Sequence, residues 1–383
     1  MPRFPQFAPH VAAMPGSVYS AIAARVMAQG GPVFPLHVGD TWLEPPPGCR
    51  VEDLRVADHP WGLHKYTSVA GWGPLVDGIV KRVSERTGLN TDPSEVLVTA
   101  GATGGLGAVL GALMAPGDEL MIVAPYWPLI AGIARAISGQ ARAVPIMGTA
   151  TDVADVTRRL EAGRSDRTTA IYLNTPNNPT GQVIPRDWVE AMVAFAKAHD
   201  LWIIADEVYE DYVYDGGHTY TRPLAPDRTF AAYSFSKAYG MAGNRVGYVV
   251  GPADAIAQAR KLGVHTIYSA PTASQVAAAR VLERGTTWLA DTAGQYAEVG
   301  RAAASRLGIP APQGSTFLWV DVADRIDERG LAGVLDDLGD QGVLVAPGPS
   351  FGPYETHLRV CFTATEPART LEGFDRLANV LGR

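Results

Sequence analysis

The sequence predicts an α/β protein: a mostly parallel seven-stranded sheet between helices, with a smaller α+β domain after it. Three observations carry this expectation. Continuous apolar runs of four to six residues alternate with helical patterns from about residue 70, as strands buried on both faces of a parallel sheet do. Beyond Pro310 the texture changes to strand, helix, two strands and a last helix. The 383 residues exceed what one core usually organises, which fits two domains.

In chain order, residues 1–50 are rich in proline and glycine, with helical spacing over Ser17–Gln29. Pro45-Pro46-Pro47-Gly48 reads as an extended turn. Val76–Arg86 reads as a helix. Glu95–Thr99 is a strand, followed by the turn Gly101-Ala102-Thr103-Gly104-Gly105 and an apolar helix to Met114. Strands are expected at Glu119–Ala124 and Arg142–Ile146, with a helix between them, then at Thr169–Leu173. The helix Arg186–His199 precedes strands Leu201–Ala205, Thr229–Ser234 and Val246–Val250. Helical patterns fill Ala253–Arg306. Strand Thr316–Val320, helix Leu331–Gln341, strands Val343–Ala346 and His357–Phe362 and helix Pro367–Leu381 complete the chain. The expected division is an N-terminal segment (1–45) packing with the small domain, a large domain (46–285) and a small domain (286–383).

Composition narrows the function. Hydrophobic residues at 47% and charged residues at 19% argue against disorder, and a net charge of -7 argues against general nucleic-acid binding. Cys49 and Cys361 are too few for a disulfide framework and lack metal-ligand spacing. No apolar run reaches membrane-span length and Met1-Pro-Arg-Phe-Pro lacks a signal-peptide core, so a cytoplasmic protein without membrane or nucleic-acid partners is expected.

Four clusters lie just beyond strand carboxyl ends, where parallel sheets place ligands. Gly101–Gly105 suits close approach of backbone N–H groups to a phosphate at a helix N-terminus, or is a plain glycine-rich turn. Asn174-Thr-Pro-Asn-Asn178-Pro-Thr-Gly181 is made of turn formers but is a longer string than a turn requires. Asp206, in Asp206-Glu-Val-Tyr209, ends a buried strand and needs a cation, which a protonated cofactor ring nitrogen or an arginine could supply. Ser234-Phe-Ser236-Lys237, with Arg245 eight residues on, combines hydroxyls, an amine suited to bonding a carbonyl and a guanidinium suited to a phosphate. Only four other lysines exist. Lys81, Lys197 and Lys261 lie in amphipathic stretches, and Lys65 is flanked by His64 and Tyr66.

Together these clusters resemble the class I/II aminotransferases of the pyridoxal-phosphate fold-type I superfamily, over roughly residues 15–380. The resemblance implies a ping-pong transfer of an amino group between an L-amino acid and a 2-oxo acid, with 2-oxoglutarate the habitual acceptor. Lys237 would hold pyridoxal 5′-phosphate as an imine and then move the substrate Cα proton. Asp206 would pair with the ring nitrogen, while Asn178 and Tyr209 would bond the phenolic oxygen. Ala102, Thr103, Ser234, Ser236 and Arg245 would bind the phosphate, and Trp127 would stack on the ring. Tyr66 would reach the phosphate of the neighbouring subunit in a homodimer. Arg359, in His357-Leu-Arg359-Val, and the backbone of Gly39 would take the substrate α-carboxylate.

The chain departs from the family pattern at Gly39-Asp40-Thr41-Trp42, and it shows no second arginine dedicated to a side-chain carboxylate, which argues against aspartate-type specificity. Trp42, Tyr19, His265 and Tyr268 are candidates for a less acidic pocket. A lyase, decarboxylase or cyclase of the same fold would use the same residues. A nicotinamide dehydrogenase would leave the serine–lysine and Asn-Asn-Pro-Thr-Gly clusters unexplained. A cofactor-binding regulator would need a DNA-binding extension for which the region before the motifs is too short.

Overall fold

The computed structural model describes residues 7–12, 14 and 31–383. The expected helix over Ser17–Gln29, and Tyr19 within it, lie outside the described residues.

The large sheet has seven strands: β1 (Val96–Thr99), β2 (Glu119–Ala124), β3 (Gln140–Pro145), β4 (Thr168–Asn174), β5 (Trp202–Asp206), β6 (Thr229–Ser234) and β7 (Gly247–Val250). Their order is β1-β7-β6-β5-β4-β2-β3. β7 runs antiparallel to both its neighbours, and the remaining pairs are parallel. The side-chain period of two explains why these strands read as unbroken apolar runs. On β2, Leu120 and Ile122 join one core while Met121 and Val123 join the other. Ala170 and Tyr172 against Ile171 and Leu173 on β4 divide in the same way. β3 lies at the sheet edge and is buried only in part.

Helices Gly73–Thr87, Gly101–Leu113, Pro128–Ala136, Arg186–Ala198, Ala253–Thr266, Thr272–Arg284 and Thr286–Arg306 cover this sheet or extend from it. The long helical region is therefore three helices. Gly88, at φ +69°, ends the helix Gly73–Thr87 in the left-handed conformation that favours glycine. One helix, Val153–Gly163, was not anticipated. Asp152 caps it by accepting from the Asp155 N–H, and its buried face is only Asp155, Val156 and Leu160, too sparse to show as periodicity.

A second sheet, in the order β8-β10-β9, is antiparallel and comprises β8 (Phe317–Asp321), β9 (Ala346–Pro347) and β10 (His357–Cys361). The strand expected at Val343–Ala346 is displaced. Val343 instead forms a parallel bridge with Phe34, and the Leu344 N–H donates to the Phe34 carbonyl at 3.0 Å. Helices Gly330–Asp340 and Pro367–Leu381 accompany this sheet, and the second of them buries Phe374, Leu377 and Leu381. Segment 34–40 runs alongside β10, with the Cys361 N–H donating to the Leu36 carbonyl at 2.7 Å.

Candidate active site

β4, β5 and β6 are parallel; β4 and β5 end in register at Asn174 and Asp206, and β6, with Ala232 opposite Asp206, runs two residues further to Ser234. Their carboxyl ends open into a cavity of about 680 Å³ that Gly39, Phe317 and Arg359 also line. The cavity brings together Ala102, Thr103, Trp127, Asn178, Asp206, Tyr209, Ser234, Ser236, Lys237 and Arg245 as well. Of the residues expected from sequence to hold the cofactor or the α-carboxylate, Tyr66 alone stands apart from this wall. It is 82% exposed and edge-on to Tyr268, with ring centroids 4.8 Å apart. Trp42 packs edge-on to Tyr296 and His265 is exposed; neither they nor Tyr268 line the cavity.

One end of the cavity is built for an anion. The helix Gly101–Leu113 begins there, and Ala102 and Thr103 in its first turn line the wall. Gly101 adopts φ +69°, which favours glycine, and a Cβ on it would meet Arg245 Nη2 at 2.4 Å and push the guanidinium from its place. Gly247 is likewise required, because a Cβ there would lie 2.5 Å from the Ala102 nitrogen. Arg245 itself is left-handed (φ 52°, ψ 50°) and donates to the Ala242 carbonyl at 2.9 Å. Non-glycine residues adopt this backbone at some cost, which the surrounding structure must offset. Ser234 Oγ accepts from the Ser236 N–H at 3.0 Å, which fixes both hydroxyl-bearing residues.

The middle of the cavity holds the acid and the amine. Asp206 is buried and, among the described residues, has no salt-bridge partner. Its Oδ2 accepts from the Tyr172 hydroxyl at 2.5 Å and its Oδ1 accepts from the Val208 N–H at 3.4 Å. Burial pushes its pKa up to about 6; the Tyr172 and Val208 hydrogen bonds oppose this, the nearby Glu207 charge adds to it, and Lys237 opposes it. Lys237 Nζ donates to the Gly39 carbonyl at 2.5 Å. Burial, helped by the positive charges of Arg359 and Arg245, draws its pKa below the ordinary lysine value against the pull of Asp40 and Cys361. Burial pushes the Tyr209 phenol up, so it stays protonated.

At the other end Arg359 is buried among rings, its guanidinium 4.3 Å from the Phe317 centroid and 4.9 Å from that of Phe351. Nη1 donates to Asn178 Oδ1 at 3.0 Å and Nη2 to the His37 carbonyl at 2.6 Å, while Nε is buried without a hydrogen-bond partner. Asn174, which sequence reasoning treated only as part of a turn string, organises the loop. Its Nδ2 donates to the Asp206 carbonyl at 2.8 Å, and its Oδ1 accepts from the Asn178 N–H at 2.7 Å. Tyr172, His37, Val38 and Phe317 were also missed. Tyr172 left one signal, a phenol two residues before Asn174 and on the same strand face.

Residues 34–377 match the family described as aminotransferase class I and II. The chain belongs to this family. It is a fold-type I aminotransferase. It is 29% identical to the aspartate/prephenate aminotransferase of Thermus thermophilus, over 97% of this chain and 98% of that one. It is 32% identical to the arginine–pyruvate transaminase of Pseudomonas aeruginosa, over 92% of this chain and 90% of that one. The solved structure of Thermus thermophilus aspartate aminotransferase with maleate superposes with a TM-score of 0.89 at 26% identity, covering 98% of this chain and all of that one. Such family members act on amino acids and 2-oxo acids.

The raised Asp206 pKa fixes a pH dependence. The folded apoprotein binds this proton more tightly than the unfolded chain, so the group's contribution to stability falls as pH rises from about 4 through about 6. Without cofactor, Asp206→Asn is expected to gain melting temperature over wild type between about pH 4 and about pH 8. Parallel melting curves across that range would show that Asp206 does not carry the shift.

Proposed function

We propose that this aminotransferase uses pyridoxal 5′-phosphate held at Lys237 and transfers amino groups by a ping-pong cycle. The observation that carries this is the placement of Lys237. Among the described residues it is the only lysine lining the cavity, and it lies between a glycine-rich turn at a helix N-terminus, a buried acid without a salt-bridge partner and a buried arginine.

The donor set fits the cofactor. Asp206 offers a protonated ring nitrogen the countercharge that it itself lacks. Gly101 leaves room for Arg245 beside a helix N-terminus, and the Ser234 and Ser236 hydroxyls stand nearby, which suits a phosphate. Trp127 offers an aromatic face, and Asn178 and Tyr209 offer polar atoms to the phenolic oxygen. When bound, the cofactor supplies a ring that accepts the electron pair left on the substrate Cα as its proton departs.

The rest is work for the chain's own residues. Lys237 would hold the cofactor covalently and, once freed, take the Cα proton on Nζ. Its lowered pKa favours the neutral amine that such a base needs. Asp206 would keep the ring nitrogen protonated. Arg359 would receive the substrate α-carboxylate, exchanging the His37 carbonyl for a charged partner, with the Gly39 backbone alongside. The exposure of Tyr66 suits a homodimer in which it reaches the phosphate of the second subunit. Segment 1–45 with the small domain 286–383 would flank the large domain 46–285. Cys49 and Cys361, both free and buried, suit a reducing cytoplasm, and among the described residues no helix is long and apolar enough to cross a membrane.

The cavity also bears on the donor. Among the described residues its cations are Lys237, Arg245 and Arg359, each already assigned. His37 is kept uncharged by burial and by Arg359. Val38 and Leu129 line the wall yet remain 41% and 55% exposed, apolar surface that a neutral side chain would cover. Neutral apolar amino acids are therefore the proposed donors, in preference to aspartate.

Two measurements test these readings. Lys237→Ala is expected to lose the visible absorbance band and all turnover. Borohydride reduction of the wild type should attach cofactor mass to the peptide containing Tyr233–Arg245, and label elsewhere would sink the assignment. In single half-reactions, leucine, methionine or phenylalanine should bleach the band at least about tenfold more efficiently than aspartate, the factor expected for an unpaired carboxylate. Faster reaction with aspartate would overturn the apolar-donor reading while leaving transamination intact.

A further inference from the structure

Tyr172 lies in the middle of β4, fully buried, in a strand whose other central side chains are aliphatic. β4 and β5 pair with Tyr172 opposite Ile204 and Asn174 opposite Asp206. Tyr172 thus shares a sheet face with Asp206 and is its diagonal neighbour. The phenol reaches along that diagonal and donates to Asp206 Oδ2 at 2.5 Å. Among the described residues no other side chain donates to this carboxylate. The adjacent acid, Glu207, is held elsewhere, by the Thr221 N–H at 2.9 Å and the Tyr233 hydroxyl at 2.8 Å. The Asp206 main chain is anchored separately through Asn174 Nδ2. The ionisable groups acting on Asp206 are therefore Tyr172 from β4, Glu207 beside it and Lys237 from beyond β6.

We propose that Tyr172 is a positioning residue: its hydroxyl occupies one oxygen of Asp206, presents the other to the cofactor ring nitrogen and holds the carboxylate in the form that pairs with a cationic ring. The inference rests on reading the cavity as a pyridoxal-phosphate site. Three physical facts support it. A carboxylate buried at a strand end is costly unless its oxygens are satisfied. A phenol is a donor that brings no positive charge, so the negative charge stays available to the ring nitrogen. Burial raises the Tyr172 pKa, so the phenol remains a donor throughout the working range. An arginine or lysine in its place would neutralise the acid and compete with the ring.

The test uses Tyr172→Phe, which deletes one oxygen and preserves the ring that fills the core. Apoprotein of wild type and variant is titrated with pyridoxal 5′-phosphate and with an analogue whose ring nitrogen is replaced by C–H. The variant is expected to bind the natural cofactor about tenfold more weakly, the cost of one hydrogen bond to a charged group. Its affinity for the nitrogen-free analogue should match wild type, because that ring asks nothing of Asp206. An unchanged affinity for the natural cofactor overturns the proposal, as does an equal loss for both compounds, which would mark a packing defect. A wild-type chain that takes up neither compound overturns the cofactor reading together with this inference, whereas wild-type uptake with an insensitive variant overturns this inference alone.

Discussion

A carboxylate at the end of a buried strand, without a cation beside it, is the constraint on which the site turns. Asp206 has a phenol and one distant N–H for company. Taking a charge out of water costs several kcal/mol unless it is paired, so a fold that keeps this arrangement keeps an energetic deficit in its centre. The deficit is useful. In the proposed function it would give a cationic ring a reason to bind at that spot, and the ring nitrogen a reason to hold its proton once there. The same low-polarity surroundings act in the opposite sense on the amine. Burial disfavours the charged form of Lys237 and leaves it a base. One environment therefore sets both groups by desolvation, with neighbouring charges as corrections.

The parallel sheet places the groups. β4, β5 and β6 run in one direction, so their carboxyl ends deliver Asn174, Asp206 and Ser234 to one rim. Lys237 follows within one turn of the last strand. β7 returns antiparallel and brings Gly247 against the start of the helix at Gly101, where an added methyl group would displace the backbone proposed to meet the phosphate. The large sheet thus supplies the half of the cavity proposed to hold the cofactor. The smaller sheet supplies Phe317 and Arg359, on adjacent strands, to the other half.

How much of this was legible in the sequence follows from how each group announces itself. Buried parallel strands announce themselves by apolar runs, and the seven strands of the large sheet emerge where those runs lie. The serine–lysine and Asn-Asn-Pro-Thr-Gly strings announce themselves because no packing rule asks for them. Tyr172 does not, because an aromatic in a strand reads as core until the register shows which carboxylate lies diagonally opposite. The helix Val153–Gly163 was hidden by charge, since Asp155 is buried against Arg158 and Arg159 on its own helix and breaks the apolar stripe. Val343 was read as part of a β-strand from propensity alone, but its backbone pairs with Phe34, some three hundred residues away in sequence. Local pattern does not encode such a contact.

That long-range pairing has a chemical consequence. It anchors the start of the segment whose next residues, His37 and Gly39, turn their carbonyls onto Arg359 and Lys237 at 2.6 and 2.5 Å. Main-chain carbonyls are neutral acceptors, weaker partners for a cation than a carboxylate. They satisfy the two donors well enough to hold their geometry and poorly enough to be exchanged. For Arg359 the proposed exchange partner is a carboxylate, which would gain the stronger charge-assisted bond and could also use the buried Nε. For Lys237 the proposed partner is the carbonyl carbon of the cofactor, which would bond to the nitrogen itself. A segment that belongs to neither sheet thereby holds both reactive ends of the cavity in readiness, and the bridge between Phe34 and Val343 ties that readiness to the position of the small sheet.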